Sequence, residues 1–331
     1  MFGRCSTSLR VWGSWTSMSP WPALDQLVDP ASNEAIRLAS HAAASTSFQS
    51  TASSTPRPQP ASNSVHGPST VNAREAAKFR ELAGKWWDPL GPFKPLHHLN
   101  PTRVEFMVQS ICDHLGLDAS LPAPLRGLDI LDVGCGGGIL AESLAKRGAA
   151  VLGIDVNEEG LAAARAHAQA DPRLASLCSY RATTLEDLAA AGNKFDVVIA
   201  SEVIEHVRSL PTFVSSLAEC ARLQAPVLVT TLNRTPASYM AAIVGAEYVL
   251  RWVPKGTHHW SKFLTPTELT QLFRAHTPFH LWQLAGMEFN PVTGTWSLGT
   301  NTSINYAACF TRAAANAPLA EEPAEYPPPE Q

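Results

Sequence analysis

The sequence lacks paired cysteines, long apolar runs and an excess of positive charge. Its six cysteines are scattered and include no Cys-x-x-Cys pair, which argues against a disulfide framework or a structural zinc site and fits a reducing compartment. No uninterrupted apolar run approaches the roughly 20 residues that a membrane-spanning helix needs. A net charge of −4 offers no basic surface, so we expect no nucleic-acid partner.

The first 24 residues also lack acidic side chains, while they contain Arg4, Arg10 and three tryptophans. This composition is typical of an organellar transit peptide, although a disordered leader without a targeting role has a similar composition. A Ser-, Thr-, Pro- and Ala-rich stretch follows and cannot bury a core. We therefore predict a transit peptide and linker over 1–70, one folded domain over 71–312 and a disordered tail over 313–331.

Within the predicted domain, short apolar strands alternate with helical segments, which favours an α/β fold with a mostly parallel sheet and helices on both faces. Two late strands have no clear helix between them and predict an antiparallel hairpin at the sheet edge. The predicted strands are 129–133, 151–154, 178–181, 195–200, 227–231, 281–288 and 303–310. The predicted helices are 102–115, 139–147, 158–169, 213–222 and one that begins near Val203.

A glycine loop follows the first of these strands. Gly134, Gly136 and Gly138 let the backbone turn sharply and approach a ligand closely at the carboxyl end of a strand. A dinucleotide fingerprint would need glycine or alanine where Ile139 stands, so the spacing fits an S-adenosylmethionine (SAM) loop better. Asp155 ends the next strand, where its carboxylate can accept hydrogen bonds from both ribose hydroxyls.

An acidic–histidine cluster follows a later strand. Glu202, Glu205 and His206 stand at positions i, i+3 and i+4, which share one face of a helix. Two carboxylates and one imidazole suit Mg²⁺, Mn²⁺ or Zn²⁺, so a divalent cation is one interpretation. A solvated helix start, where acidic residues are favourable, is the other. His206 could also serve as a general base with no metal.

A family resemblance rests on five stretches: KWWDPLGPFKPLHHLNPTR (85–103), LDVGCGGGILAESLAKRGAAVLGID (131–155), SEVIEHV (201–207), the long segment 231–269 and NPVTGTWSLG (290–299). They resemble the ubiquinone biosynthesis O-methyltransferase family, which has the Rossmann-like class I methyltransferase fold with a seven-stranded sheet. The resemblance covers about residues 72–310. Two departures are Leu223-Gln-Ala-Pro226, which lacks the usual glycine pair, and His97-His98, where the family often has His-Arg.

The resemblance implies methyl transfer from SAM to a catechol hydroxyl of polyprenylated quinone precursors. It implies SAM contacts at Arg103, Gly134, Asp155 and Ser201, to which the loop spacing adds Gly136. It also implies Mg²⁺ ligands at Glu202, Glu205 and His206, with Glu205 and His206 as the catalytic candidates. For location and partners, it implies a peripheral protein on the matrix side of the mitochondrial inner membrane, in a complex with other quinone-biosynthesis proteins.

One apolar insert, within 233–262, admits two interpretations. Its stretch Tyr239–Pro254 is rich in apolar and aromatic residues and has Arg234 and Lys255 beside it. It is too short to span a bilayer but could lie in the membrane interface, or it could pack as a lid on its own domain. Rival functions are a methyltransferase of another small phenol, against which this apolar insert argues, and a non-catalytic SAM-binding assembly subunit.

Overall fold

The computed structural model describes residues 10–11, 69–72, 77, 80–249 and 259–312. The main compact unit comprises Met1–Gly13 and His66–Gln331, and the second unit, Ser14–Val65, lies outside the described residues. Most of the predicted leader and linker, the predicted tail and the middle of the apolar insert also lie outside them. No described helix has the length and apolar character needed to cross a bilayer.

The described strands form one mixed sheet in the order β1-β7-β9-β6-β5-β2-β3-β4, with β8 paired to β7. Pairing is parallel from β6 to β4 and antiparallel where β9 meets β6 and β7. The predicted class I methyltransferase topology is confirmed. The sheet has nine described strands instead of the predicted seven, because β8 and the two-residue β1 were not predicted. The strands are β1 Arg10–Val11, β2 Asp129–Val133, β3 Ala150–Asp155, β4 Cys178–Ala182, β5 Val197–Ser201, β6 Val227–Leu232, β7 Phe279–Asn290, β8 Thr295–Gly299 and β9 Asn305–Arg312.

Helices cover both faces of the sheet. One apolar cluster joins α5, α6 and α7 to one face, and a second joins α1, α2 and α4 to the other. Within the described ranges, the seven α-helices of four residues or more are α1 Lys94–Leu115, α2 Ile139–Ala145, α3 Glu158–Ala168, α4 Pro172–Leu177, α5 Leu185–Ala190, α6 Leu210–Cys220 and α7 Pro266–His276.

Helix α1 begins eight residues before its predicted start at Thr102. A proline inside a helix usually ends or kinks it. Here Pro101 lies inside the helix, and Pro95 stands in the first turn, where proline is well tolerated. The extension matters because it adds His97, His98 and Asn100 to the same helix as Arg103.

The antiparallel edge differs from the predicted hairpin in one respect. Strands β7 and β9 pair as expected, but β8 lies between them in the chain and pairs with β7 instead. The tight connection is therefore the β7–β8 turn, in which Asn290 Oδ1 accepts from the backbone N–H of Val292 at 2.9 Å and Gly294 has a φ of 69°. This turn stands beside the cavity described below.

The apolar insert begins with a capped turn. Thr235 caps Pro236–Ser238 with a reciprocal capping box, and a π-helix, Tyr239–Val249, continues directly from it. The Trp260 indole N–H donates to the Thr235 carbonyl at 3.0 Å and its ring meets Tyr239 edge-on. The two ends of the insert are thus held together at the cavity rim.

Candidate active site

A cavity of about 1150 Å³ opens at the carboxyl ends of the central strands. Its size exceeds the range of roughly 300–1,000 Å³ typical of one small-ligand pocket, which leaves room for a cofactor and a second ligand. All eight predicted site residues line it: Arg103, Gly134, Gly136, Asp155, Ser201, Glu202, Glu205 and His206.

The glycine loop fits closely against its neighbours. Gly134 and Gly136 have φ values of 69° and 51°, in the left-handed region that favours glycine. A Cβ at Gly134 would lie 2.5 Å from a methyl carbon of Val203, so the position also has no space for a side chain. The loop therefore presents bare backbone to the cavity, as a SAM loop requires.

Asp155 is held in place by the glycine loop. Its Oδ2 accepts from the backbone N–H of Gly136 at 3.0 Å, and its Oδ1 accepts from that of Asn157 at 2.8 Å. Burial raises the pKa of Asp155, and these backbone hydrogen bonds oppose that shift. A carboxylate has about four lone-pair sites, so two remain for a ligand's hydroxyl groups.

A chain of hydrogen bonds links the cofactor end of the cavity to the acidic cluster. Arg103, which is buried, donates to Ser201 Oγ at 3.0 Å, and Ser201 Oγ lies 2.7 Å from Thr230 Oγ1. Thr230 donates its one hydroxyl proton to Glu202 Oε1 at 2.8 Å, so Ser201 is the donor to Thr230. A second contact, Arg103 Nε to Asn100 Oδ1 at 2.9 Å, fixes the guanidinium.

Asp132 is a site residue for which sequence analysis gave no role. It is buried at the cavity wall, and its Oδ2 has no hydrogen-bond partner in the described part of the chain. Burial raises its pKa to about 7, Arg103 opposes the shift, and Asp155 adds to it. The amine and sulfonium of SAM are positive, so this oxygen suits that cofactor.

The acidic cluster differs from the predicted helical face. Glu202 precedes the helix in a left-handed conformation, with φ 57°, and only Ile204–His206 form a single 3₁₀ turn. The predicted i, i+3, i+4 helix geometry is therefore wrong, yet both glutamates still line the cavity. Glu205 is buried, and its Oε2 accepts from the Thr231 hydroxyl at 2.9 Å. Burial and the neighbouring Glu205 raise the pKa of Glu202 to about 7.

The donor set partly fits a divalent cation. Each glutamate has one oxygen bound by a threonine and a second oxygen left for other contacts, and hard carboxylate oxygens are what Mg²⁺ prefers. A cation would also relieve the repulsion between these two neighbouring acids. Among the described residues, however, no group of three or more His, Cys, Asp and Glu side chains is arranged to hold a metal ion.

An aromatic segment covers the glycine loop. Trp86 stacks on Phe93 with ring centroids 3.7 Å apart, and both line the cavity. Trp87 does not line the cavity: its indole N–H donates to the Gly137 carbonyl at 2.9 Å and its ring stacks on His167. Trp87 thus holds the loop on the side away from the cavity, and Trp86 covers the loop on the cavity side.

Curated relatives decide the family. A ubiquinone biosynthesis O-methyltransferase, mitochondrial, from Arabidopsis thaliana is 43% identical over 251 residues, covering 76% of this chain and 77% of the relative. A ubiquinone biosynthesis O-methyltransferase from Dinoroseobacter shibae is 45% identical over 246 residues, covering 74% of this chain and 98% of the relative. The chain belongs to the ubiquinone biosynthesis O-methyltransferase family.

One family model and one solved structure also match this chain. The model of the methyltransferase domain matches residues 131–227 of this O-methyltransferase, from the glycine-loop strand to the start of β6. A solved structure, the SAM-bound magnesium protoporphyrin IX methyltransferase of Synechocystis PCC 6803, aligns with a TM-score of 0.48 and 18% identity, over 72% of this chain and 97% of that one. The family confirms the predicted enzyme class: an O-methyltransferase that uses SAM.

Proposed function

We propose that this chain transfers the methyl group of SAM to a catechol hydroxyl of polyprenylated intermediates in ubiquinone biosynthesis. One observation carries the proposal: the glycine loop, the buried Glu205 and the half-buried Glu202 share one cavity whose remaining walls are largely apolar. A catechol ring matches the carboxylate end, and a polyprenyl tail matches the apolar walls. Those apolar walls include Phe213, Leu232, Ala242, Phe289, Trp296 and Ile304.

The chain's own residues would bind and orient the methyl donor. Asp155 would accept hydrogen bonds from the ribose hydroxyls, and the backbone of Gly134 and Gly136 would lie against the cofactor. The orphaned oxygen of Asp132 would accept from its amine, while Arg103 is placed to meet its carboxylate. SAM supplies an already reactive methyl group, so most of the rate enhancement should come from orientation.

We further propose that Glu202, Glu205 and His206 hold a divalent cation, Mg²⁺ or a similar ion. Bound there, the cation would lower the pKa of a catechol hydroxyl. The support is the pair of carboxylates, one buried and one half-buried, each with one oxygen that no threonine binds, and the chemistry of that donor set. In the alternative, His206 takes the hydroxyl proton directly as a general base, which its position in the cavity also permits.

We propose a peripheral location on the matrix side of the mitochondrial inner membrane, together with other quinone-biosynthesis proteins. The mitochondrial Arabidopsis relative and the leader-like composition of the first 24 residues support the compartment. Exposed apolar side chains at the cavity rim support the lipid contact; they include Tyr239 and Met240.

The proposed activity is tested with the full-length protein, labelled SAM and a short-tail polyprenyl catechol, with EDTA or added Mg²⁺. We expect an O-methylated product that EDTA abolishes and Mg²⁺ restores. Transfer that ignores EDTA would reject the cation and assign proton removal to His206. Binding of SAM without transfer would reject the catechol as the substrate.

A further inference from the structure

Asn305 has a buried side-chain amide whose oxygen lacks a hydrogen-bond partner among the described residues. It is the first residue of β9, pairs in register with Leu232 of β6 and is only 4% exposed. Its Oδ1 has no hydrogen-bond partner within the described ranges, and the residue lines the active-site cavity. Leaving such a group unpaired costs roughly 1–3 kcal/mol, so it suits a position that a ligand completes.

The sheet order places Asn305 away from the cofactor. The glycine loop follows β2, the acidic cluster follows β5, and β6 and β9 come next in that direction. Asn305 therefore lies beyond the carboxylates as seen from the SAM loop. The unpartnered oxygen of Asp132, by contrast, belongs to β2, next to the glycine loop. Asn305 thus belongs to the part of the cavity left for the methyl acceptor.

We propose that Asn305 is a positioning residue that hydrogen-bonds the catechol hydroxyl that is not being methylated, and so decides which oxygen receives the methyl group. The proposal rests on the catechol function proposed above. A primary amide both donates and accepts, as a hydroxyl does, so the two groups are complementary. Because Asn305 approaches from the side opposite the methyl donor, the hydroxyl it holds is the one turned away from transfer.

The test measures which monomethyl ether forms. We compare the wild-type protein with Asn305→Leu, which keeps a similar volume without polar atoms, and with Asn305→Ser, which is smaller and still polar. In wild type we expect one regioisomer to dominate. In Asn305→Leu the ratio of major to minor regioisomer should fall by up to about tenfold, because one hydrogen bond to the acceptor is lost. The affinity for SAM should stay unchanged in both variants.

Asn233 provides a matched control. Its Oδ1 is also buried without a partner in the described part of the chain, and it follows Leu232 directly, but it does not line the cavity. Its side-chain N–H instead donates to the Thr302 carbonyl at 2.8 Å. Asn233→Ala should lower the melting temperature while leaving the product ratio unchanged. An equal change of ratio in Asn233→Ala would show that the effect is structural and would overturn the proposal.

A measurement on wild type alone covers the case in which the Asn305 variants do not fold. An analogue that lacks the second hydroxyl should lose kcat/KM by a similar factor in wild type; no loss would overturn the role of Asn305. An unaltered product ratio in folded Asn305→Leu would overturn it as well, with the catechol activity intact. Failure of wild type to methylate any catechol would overturn the proposed function itself.

Discussion

At the scale of single residues, Gly134 shows why the cofactor loop was readable from sequence. Its φ of 69° and the 2.5 Å separation between an added Cβ and Val203 leave glycine as the one residue that fits. Gly134→Ala should weaken SAM binding by at least about tenfold, measured by calorimetry, because the loop must shift. Gly192→Ala is the control: its φ of 76° imposes similar strain, but nothing lies within 4 Å of its added Cβ. Equal SAM affinity in the two variants would contradict the close-fit explanation.

Asp132 predicts a pH dependence. Its pKa is about 7 in the folded protein, and the ordinary value of 3.8 applies once the chain unfolds. At pH values between these two pKa values, Asp132 is protonated in the folded state and ionised in the unfolded state. The free energy of unfolding should therefore fall as pH rises from about 4 to 7, by at most about 1.4 kcal/mol per pH unit.

Melting temperatures across pH 4.5–8 for wild type and Asp132→Asn check this expectation. The variant should be less sensitive to rising pH in that window, because the titrating group is gone. SAM affinity should rise with pH in wild type and stay flat in Asp132→Asn, since the charged carboxylate binds the cationic cofactor. Parallel curves for the two proteins would assign the pH dependence to other groups.

Glu205 is the residue that tests the proposed cation site most directly. Glu205→Gln removes a carboxylate charge, keeps the size of the side chain and should reduce Mg²⁺ affinity and activity by at least about tenfold. Glu219→Gln, on an exposed position of α6, should change neither. Unchanged activity with an unchanged Mg²⁺ response in Glu205→Gln would rule out the proposed cation site.

Six of the eight predicted site residues came from chemistry that sequence spacing displays, namely glycines, acids after strands and a histidine. Arg103 and Ser201 came from the family resemblance alone. Asp132 and Asn305 were not assigned roles because their significance is an unpartnered buried atom. Whether an oxygen finds a partner depends on neighbours from distant segments, such as Leu232 beside Asn305, which 73 positions of sequence separate. A single sequence gives no signal for that.

At the scale of elements, central strands were easier to predict than helix ends. Strand β2 has the predicted bounds, because a buried apolar run followed by glycines defines both its ends. Helix α7 was missed although Thr265 and Glu268 form a capping box that the sequence displays. The turn at Ile204–His206 could not be predicted, because tertiary contacts hold Glu202 in a left-handed conformation that non-glycine residues rarely adopt.

The β7–β8 hairpin supports a prediction about tail length. Phe289 and Trp296 face each other across this hairpin with ring centroids 5.1 Å apart, and both line the cavity. If the prenyl chain packs on them, Phe289→Ala should raise KM for a catechol with several isoprene units by about tenfold, because a large apolar contact is lost. KM for a tail-free catechol should not change. An equal rise for both acceptors would place the tail elsewhere.

At the scale of the whole molecule, exposed apolar side chains lie directly beside the residues that line the cavity. Tyr239 and Met240 are 44% and 57% exposed, and the next two residues, Ala241 and Ala242, line the cavity. Val292, at the tip of the β7–β8 turn, is 92% exposed between cavity-lining neighbours. An acceptor whose tail remains in a bilayer could enter such a cavity without leaving the lipid, provided that this rim meets the membrane.

Flotation of the full-length protein with cardiolipin-rich vesicles tests the rim. Wild type should float with the vesicles, and the double variant Tyr239→Ser, Met240→Ser should bind severalfold more weakly, because interfacial binding scales with the apolar area inserted. Leu223→Ser is the matched control: Leu223 is 78% exposed but precedes β6, whereas the cavity lies at that strand's other end. Loss of binding in both variants would indicate general apolar adhesion, and absence of flotation by wild type would leave the insert as a lid on its own domain.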